Sequence, residues 1–209
     1  MDPALWLSLT AILLLGAMSP GPSIAVIIAE TLRGGARRGA LAALGHGAGI
    51  ALYAMMTLAG LAVVLAGSPN TFLALQLLGA LYLLWLGIGS LRSPGARLDA
   101  PKPERQDPGG ASVGFLIAFL NPKVAVFMLA LFSQFLAPDA GWVPKLIMVA
   151  TAGTVDALWY LLVVAMVSRR AFLRLLRNHS KTIDRVLGLI LLVVALTVLV
   201  RALATYPAG

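Results

Sequence analysis

Cysteine is absent from the 209 residues, and charged residues make up only 11% of them. The first absence excludes disulfides, thiol redox chemistry and thiolate metal sites. The second is unusual, because about 25% of the residues in an ordinary soluble domain are charged. The sequence also lacks the phosphate-binding loop of ATPases, the His-Glu-x-x-His motif of zinc proteases and the serine elbow of hydrolases. The chain is therefore predicted to be no enzyme and to need no cofactor or bound metal.

Long apolar tracts dominate what is present. Hydrophobic residues account for 60% of the chain, and the mean hydropathy is +0.93. A helix needs about 20 apolar residues to cross a bilayer. Six tracts come close to that length or exceed it: 4–31, 40–66, 70–91, 113–137, 144–167 and 185–204. We therefore predict an all-α, polytopic membrane protein with six transmembrane helices in a single domain, 1–209.

Basic residues are concentrated after alternate tracts. Three follow the first tract, four follow the third and six follow the fifth, out of 16 in the chain. The positive-inside rule then places these three loops in the cytoplasm and both termini outside. Because this pattern sets topology, the net charge of +8 does not indicate a nucleic-acid partner.

Two proline motifs interrupt the first and fourth tracts. They are Ser19-Pro20-Gly21-Pro22 and Asn121-Pro122-Lys123. A helix is broken at membrane depth only where the freed N–H and C=O groups face protein, water or a ligand. Asn121 before Pro122 matches an N-cap followed by proline at the first helical position. Ser19 or Gly21 takes the N-cap position before Pro22, so helices 1 and 4 are each predicted to break and restart here.

Matching interruptions in corresponding segments indicate an internal repeat. Repeat one covers about 1–91 and repeat two about 113–209, and a polar cytoplasmic loop at about 92–112 joins them. Because each repeat holds three spans, the second enters the membrane from the opposite face. The two repeats are therefore inverted, an arrangement that places a binding site at their interface near the bilayer midplane.

The restarted helices are candidate binding groups. A helix N-terminus carries partial positive charge and unpaired N–H groups, which favour an anion such as a carboxylate. A lysine at membrane depth costs about 2.5–3.5 kcal/mol on insertion unless it is paired or hydrated. The predicted substrate-binding residues are Ser19, Pro20, Gly21, Pro22, Asn121, Pro122, Lys123 and Asp156. Simple proline kinks, and a Lys123 side chain that extends to the interface, stay open as alternatives.

Three ionisable residues are candidates for proton coupling. Asp156 lies inside the fifth tract, where a carboxylate can bind an ammonium group, carry a proton or pair with Lys123. His46 lies among glycines in the second tract, and imidazole titrates near neutral pH. A hydrogen-bonded packing role is the alternative for His46. Glu30, just before Arg33, is either a gate residue or a member of an interfacial ion pair.

Both motifs resemble signatures of the LysE/RhtB family of bacterial amino-acid exporters. The first match comprises Ser19-Pro20-Gly21-Pro22, Arg33-Gly34-Gly35-Ala36-Arg37-Arg38-Gly39, Gly45 and Gly49. The second comprises Phe119-Leu120-Asn121-Pro122-Lys123, Phe127 and Phe132-Ser133-Gln134-Phe135. The resemblance covers essentially the whole chain. The residues that carry over are Pro20, Gly21, Pro22, Asn121, Pro122 and Lys123, with Ser19 in place of the threonine that is often found there. Asp156 and His46 match no motif of the family.

The resemblance implies an exporter of the LysE-type translocator class in the bacterial inner membrane. Such an exporter is driven by the proton motive force, works without an ATPase and exchanges amino acids or related small metabolites for protons. Its expected partners are the amino-acid substrate, protons and the lipid bilayer, and a homo-oligomer stays open. A metal or inorganic-ion exporter of a related six-span fold, and a membrane scaffold that transports nothing, are the alternatives.

Overall fold

The computed structural model describes residues 2–19, 21–94, 109–137, 140–167 and 170–205. This part of the chain contains helices and no strands, which confirms the all-α prediction for it. The helices are α1 (Pro3–Met18), α2 (Pro22–Gly67), α3 (Pro69–Arg92), α4 (Gly110–Phe119), α5 (Pro122–Phe135), α6 (Trp142–Val167) and α7 (Arg170–Thr205). Pro20 and most of the loop predicted at 92–112 lie outside the described residues.

The lengths and compositions of these helices suit a membrane protein. α2, α3 and α6 are each long and apolar enough to cross a bilayer. α4 and α5 together qualify as a fourth crossing, although they are bent by 60° at the break between them. α1 is apolar but has only 16 residues. The polytopic character is thus supported, while the count of six spans stays a prediction.

α2 consists of two helical segments joined by a sharp reversal. Gly34 and Gly35 have non-helical backbone angles, and φ is 73° at Gly35, a left-handed conformation that favours glycine. A Cβ atom on Gly39 would collide with the side chain of Thr31, although residues eight apart in a straight helix are separated by about 12 Å. The chain therefore folds back at Gly34–Gly35, and the first segment of α2 lies against the second.

Glycines bring the second segment of α2 into close contact with two neighbours. On one face, a Cβ atom at Gly45 would collide with the backbone of Ala111 in α4. On another face, a Cβ atom at Gly47 would lie 2.7 Å from the Cβ atom of Ala157 in α6. Helices approach this closely only where side chains are small. His46, between the two glycines, is consequently held where α2 passes between α4 and α6.

Two glycine contacts are reciprocal. A Cβ atom at Gly47 would lie 2.8 Å from the Gly153 carbonyl oxygen, and one at Gly153 would lie 3.0 Å from the Gly47 carbonyl oxygen. Gly87 of α3 and Gly188 of α7 show the same arrangement. A Cβ atom at Gly87 would lie 2.9 Å from the Gly188 carbonyl oxygen, and one at Gly188 would lie 2.7 Å from the Gly87 carbonyl oxygen. Each glycine also meets the residue four positions after its partner: Ala157, Ala51, Leu192 and Leu91. The α2–α6 and α3–α7 contacts therefore share a local two-fold pattern.

The last helix begins earlier than the apolar tract predicts. α7 starts at Arg170, whereas the tract starts at 185. The basic segment and the apolar tract are thus one continuous helix. As a consequence, Asp184 lies within a helix that packs along α3 and not in a connecting loop.

We expect Gly87→Ala to destabilise the protein and Gly89→Ala to leave it unchanged or slightly more stable. A Cβ atom at Gly87 would press on the α7 backbone, and overpacking of this kind costs about 1–3 kcal/mol. At Gly89 nothing lies within 4 Å of a Cβ atom, and alanine is the better helix former. Thermal unfolding of both purified variants in detergent checks this. Equal melting temperatures would contradict the close α3–α7 contact.

Candidate functional site

The breaks between α1 and α2 and between α4 and α5 open onto one cavity of about 90 Å³, here called the central cavity. The start of α2 lines it with Gly21 and Pro22, and the start of α5 lines it with Asn121 and Lys123. The other lining residues are Leu13, Gly16, Ala17, Ser19, Ser23, His46, Ile50, Leu86, Val124, Phe127, Met128, Ala152, Asp156, Tyr160 and Leu187. Two helix N-termini therefore meet at a common, largely apolar chamber.

The two helix starts differ in how they are capped. Asn121 caps α5, since its side-chain oxygen accepts a hydrogen bond of 3.0 Å from the N–H of Lys123. This is the role that the sequence predicts. Gly21 is the N-cap of α2 and provides no side chain, whereas Ser19 ends α1 and bonds back to its carbonyl groups. The first N–H groups of α2 are consequently not capped by a side chain of the N-cap residue.

Most of the predicted site residues come together. The central cavity is lined by Ser19, Gly21, Pro22, His46, Asn121, Lys123 and Asp156. Pro20 lies outside the described residues. Of Pro122 only the backbone is described, as the first residue of α5. Glu30 is not among the lining residues.

His46 and Asp156 form a buried pair. Nδ1 of His46 lies 2.6 Å from Oδ2 of Asp156, and the two residues are only 2% and 6% exposed. A hydrogen bond between these atoms requires one proton between them. Nε2 of His46 is buried and has no hydrogen-bond partner in the described part of the chain. Nε2 is therefore the ring nitrogen that the His46–Asp156 bond leaves unused.

Tyr160 holds the imidazole ring from the side. Its ring meets that of His46 edge-on, with 4.8 Å between the centroids. Its hydroxyl group donates a hydrogen bond of 3.4 Å to the carbonyl oxygen of Ala17, near the end of α1. Tyr160 lies one helical turn after Asp156 on α6. It thus links His46 to the break between α1 and α2.

The partner of Asp156 is His46. The sequence had suggested Lys123 as a possible partner instead. The close glycine contact between α2 and α6 brings the histidine and the aspartate together. Lys123 is exposed, and the carboxylate with which it interacts electrostatically is Asp184 of α7. Asp156 is therefore bonded to a histidine, whereas Lys123 and Asp184 form no direct ion pair within the described residues.

Asp184 is a buried carboxylate that sequence reasoning missed. It is 5% exposed, and its oxygens accept hydrogen bonds from the hydroxyl groups of Ser93 at 2.7 Å and Ser19 at 3.4 Å. In the sequence it directly precedes the last apolar tract, so it reads as a boundary residue. The available signal was the helix-compatible stretch before it, which extends α7 well beyond the apolar tract.

Glu30 is a buried carboxylate that forms ion pairs with two arginines. Its carboxylate lies 2.6 Å from Nε of Arg38 and 2.9 Å from Nη1 of Arg33, and the residue is 2% exposed. Arg38 follows the reversal at Gly34–Gly35, so this contact ties the two segments of α2 together. The geometry supports the ion-pair interpretation, and a proton-coupling role for Glu30 stays a prediction.

One further signature residue connects helices. The side-chain amide of Gln134 in α5 donates to the backbone carbonyl of Gln76 in α3 at 3.1 Å. The amide of Gln76 donates in return to the carbonyl of Ser133 at 2.7 Å. This part of the second motif therefore joins α5 to α3 and does not line the central cavity.

Comparison with known proteins gives a consistent result. The family model of the LysE type translocator matches residues 14–202. An uncharacterized membrane protein of Vibrio cholerae is 31% identical over 161 residues, which cover 76% of this chain and 78% of that protein. A leucine efflux protein of Klebsiella pneumoniae is 30% identical over 123 residues, or 58% of each chain. No solved structure shows significant similarity.

We expect a double-mutant cycle between His46 and Asp156 to reveal strong coupling. His46→Ala and Asp156→Ala each leave one buried partner unsatisfied, whereas the double variant removes both. Residues in contact show interaction free energies of about 0.5–3 kcal/mol in such cycles. For residues without shared partners, the losses in the free energy of unfolding from the two single substitutions add to within about 0.5 kcal/mol. Unfolding in mixed micelles measures the cycle, and Asp156 with Glu30 serves as the uncoupled control pair. Additive losses for His46 and Asp156 would contradict the pair.

Proposed function

Because the chain belongs to the LysE type translocator family, we propose that it is a secondary active exporter of amino acids or closely related small metabolites. It works in a bacterial inner membrane and exchanges its substrate for protons driven by the proton motive force. The observation that carries this proposal is the central cavity, where two helix starts, Lys123 and the His46–Asp156 pair meet. The leucine efflux relatives support the amino-acid class.

In this proposal the single domain crosses the membrane six times. The crossings are α1 with the first segment of α2, the second segment of α2, α3, α4 with α5, α6, and α7. The reversal at Gly34–Gly35 supports separating the first two crossings. The distribution of basic residues supports placing both termini outside.

The reciprocal glycine contacts support two inverted repeats. Gly47 pairs with Gly153, and Gly87 pairs with Gly188. These pairs join the second crossing to the fifth and the third to the sixth, which are the pairs that an inverted three-helix repeat relates. The corresponding first and fourth crossings contain the breaks at Pro22 and Pro122. Repeats of this kind allow the site to open to either side in turn.

The substrate carboxylate binds where the starts of α2 and α5 converge, with Lys123 as its counter-ion. Helix N-termini and a lysine both favour a carboxylate. The cavity lining also includes the apolar residues Leu13, Ile50, Phe127 and Met128. A water-sized group needs about 10–15 Å³ of such a cavity, so about 90 Å³ suits a molecule of amino-acid size with an apolar side chain.

The His46–Asp156 pair is the proposed proton carrier. Protonation at Nε2 converts the neutral imidazole to imidazolium, which the buried Asp156 carboxylate stabilises through Nδ1. The pair faces the same cavity as the substrate. Substrate and proton can therefore influence each other's binding, as exchange requires.

We expect Lys123→Ala to lower amino-acid export by about ten- to a hundredfold, because a hydrogen bond to a charged group contributes about 1.5–3 kcal/mol. Insertion into the membrane should be unaffected, since alanine removes a charge from an apolar segment. Counterflow of labelled amino acid in proteoliposomes measures the effect. Lys145→Ala is the matched control, because Lys145 lies over the ring of Trp142, away from the cavity. Normal exchange by Lys123→Ala would remove the proposed anchor.

We expect Asp156→Asn and His46→Gln to separate transport from the proton gradient. Neither variant retains the acid–base pair, so accumulation driven by a pH gradient should fall by at least about tenfold, the scale of one lost charge-assisted hydrogen bond. Exchange of amino acid for amino acid at equal pH should persist. Asp2→Asn is the control, since Asp2 is an exposed helix cap and asparagine also caps well. Intact pH-driven accumulation in both site variants would exclude the proposed carrier.

The alternative activities have distinct outcomes. The described residues contain no group of three or more His, Asp or Glu side chains suited to a metal ion. A strain that lacks the protein and loses cadmium or manganese tolerance, with unchanged tolerance to amino-acid analogues and toxic dipeptides, would favour an ion exporter. A scaffold would tolerate alanine at Pro20, Pro22 and Pro122 and show no proton flux dependent on substrate in proteoliposomes.

A further inference from the structure

Asp184 borders a second cavity that adjoins the central one. This cavity has a volume of about 210 Å³ and is lined by Ser19, Trp85, Ser90, Ser93, Lys123 and Asp184, among others; it is called the vestibule here. Ser19 and Lys123 line both cavities. In the proposed topology the end of α3, with Ser90 and Ser93, faces the cytoplasm. The vestibule then lies between the cytoplasm and the central cavity, on the path of an exported molecule.

Among the described side chains, the Asp184 carboxylate is held in place by hydroxyl groups and makes no direct ion pair. Ser93 and Ser19, at the ends of α3 and α1, donate hydroxyl hydrogen bonds to its two oxygens. Hydroxyl groups solvate a carboxylate without cancelling its charge, and a buried charge is costly unless an opposite charge lies near it. The fixed position of Asp184 therefore presents a buried negative charge to the vestibule.

Lys123 provides the opposite charge on the same vestibule. The two side chains interact electrostatically, yet the described part of the chain contains no direct ion pair between them. A cavity bordered by a separated cation and anion is complementary to a ligand that carries both charges. A free metal cation is disfavoured there, because Lys123 repels it.

We propose that the vestibule binds the zwitterionic group of an α-amino acid, with the ammonium at Asp184 and the carboxylate at Lys123. Ser19 and Ser93 position the Asp184 carboxylate for this contact. The inference deepens the proposed export function and rests on it: Asp184 selects for the amino group at the cytoplasmic side, before the substrate passes Lys123 into the central cavity. Substrates without an ammonium group are rejected at this step.

The test compares leucine with leucic acid, its analogue that carries a hydroxyl group in place of the ammonium group. Reconstituted full-length protein exchanges labelled leucine, and each unlabelled compound competes. Wild type should prefer leucine by at least about tenfold, as expected for a charged hydrogen bond. Asp184→Asn should reduce that preference to near one, whereas Asp156→Asn should keep it even if proton-driven transport falls.

Other outcomes overturn the inference. An unchanged preference in Asp184→Asn would exclude ammonium selection, and loss of proton-driven export alone would make Asp184 a proton carrier instead. Should Asp184→Asn fail to fold, Ser93→Ala leaves the carboxylate but loosens it, and it should raise the KM for leucine without altering competition by leucic acid. No change in that variant would also overturn the inference. Wild type that exchanges no amino acid would refute the proposed function and this inference together.

Discussion

Backbone N–H and C=O groups that are freed inside a bilayer need partners within the protein, and this constraint shapes the site. The chain leaves the helical conformation after Met18 and after Phe119 and resumes it at Pro22 and Pro122. The start of α2 lines the central cavity with Gly21 and Pro22, and the start of α5 lines it with Asn121 and Lys123. Asn121 satisfies one N–H group with its own side chain, whereas Gly21 provides no such cap. The two ends are therefore unequal, and the start of α2 is the one that relies more on other partners.

Local chemistry made part of this site predictable. Proline at the first helical position and asparagine before it are signals that act over two or three residues, so the starts of α2 and α5 could be read directly. Apolar run length alone marked Lys123 and Asp156 as candidates, and both line the central cavity. The reversal at Gly34–Gly35 lies in a recognised motif, but its consequence, a helix folded against itself with Glu30 bonded to Arg38, depends on φ at a single glycine.

Pairings between distant helices could not be predicted in the same way. The sequence offered Lys123 as a partner for Asp156, and the observed choice of His46 depends on how closely α2 approaches α6. That approach depends in turn on Gly47 and Gly153 having no side chains. Asp184 was missed for a related reason, since a residue at the edge of an apolar tract looks solvent-exposed until α3 and the end of α1 are seen to cover it. Long-range packing decides both cases, and a single sequence contains no direct record of it.

The folded-back α2 also constrains how the protein can move. Glu30 bonds across the reversal to Arg38, and Thr31 lies against Gly39, so the two segments form a hairpin joined by direct contacts. The helix start at Pro22 and the imidazole of His46 are both built on that hairpin, whereas Lys123, Asp156 and Asp184 belong to three other helices. A movement of this hairpin would therefore displace the start of α2 and His46 together. In the proposed exchange, such a movement would change the distances from these two groups to Lys123, Asp156 and Asp184.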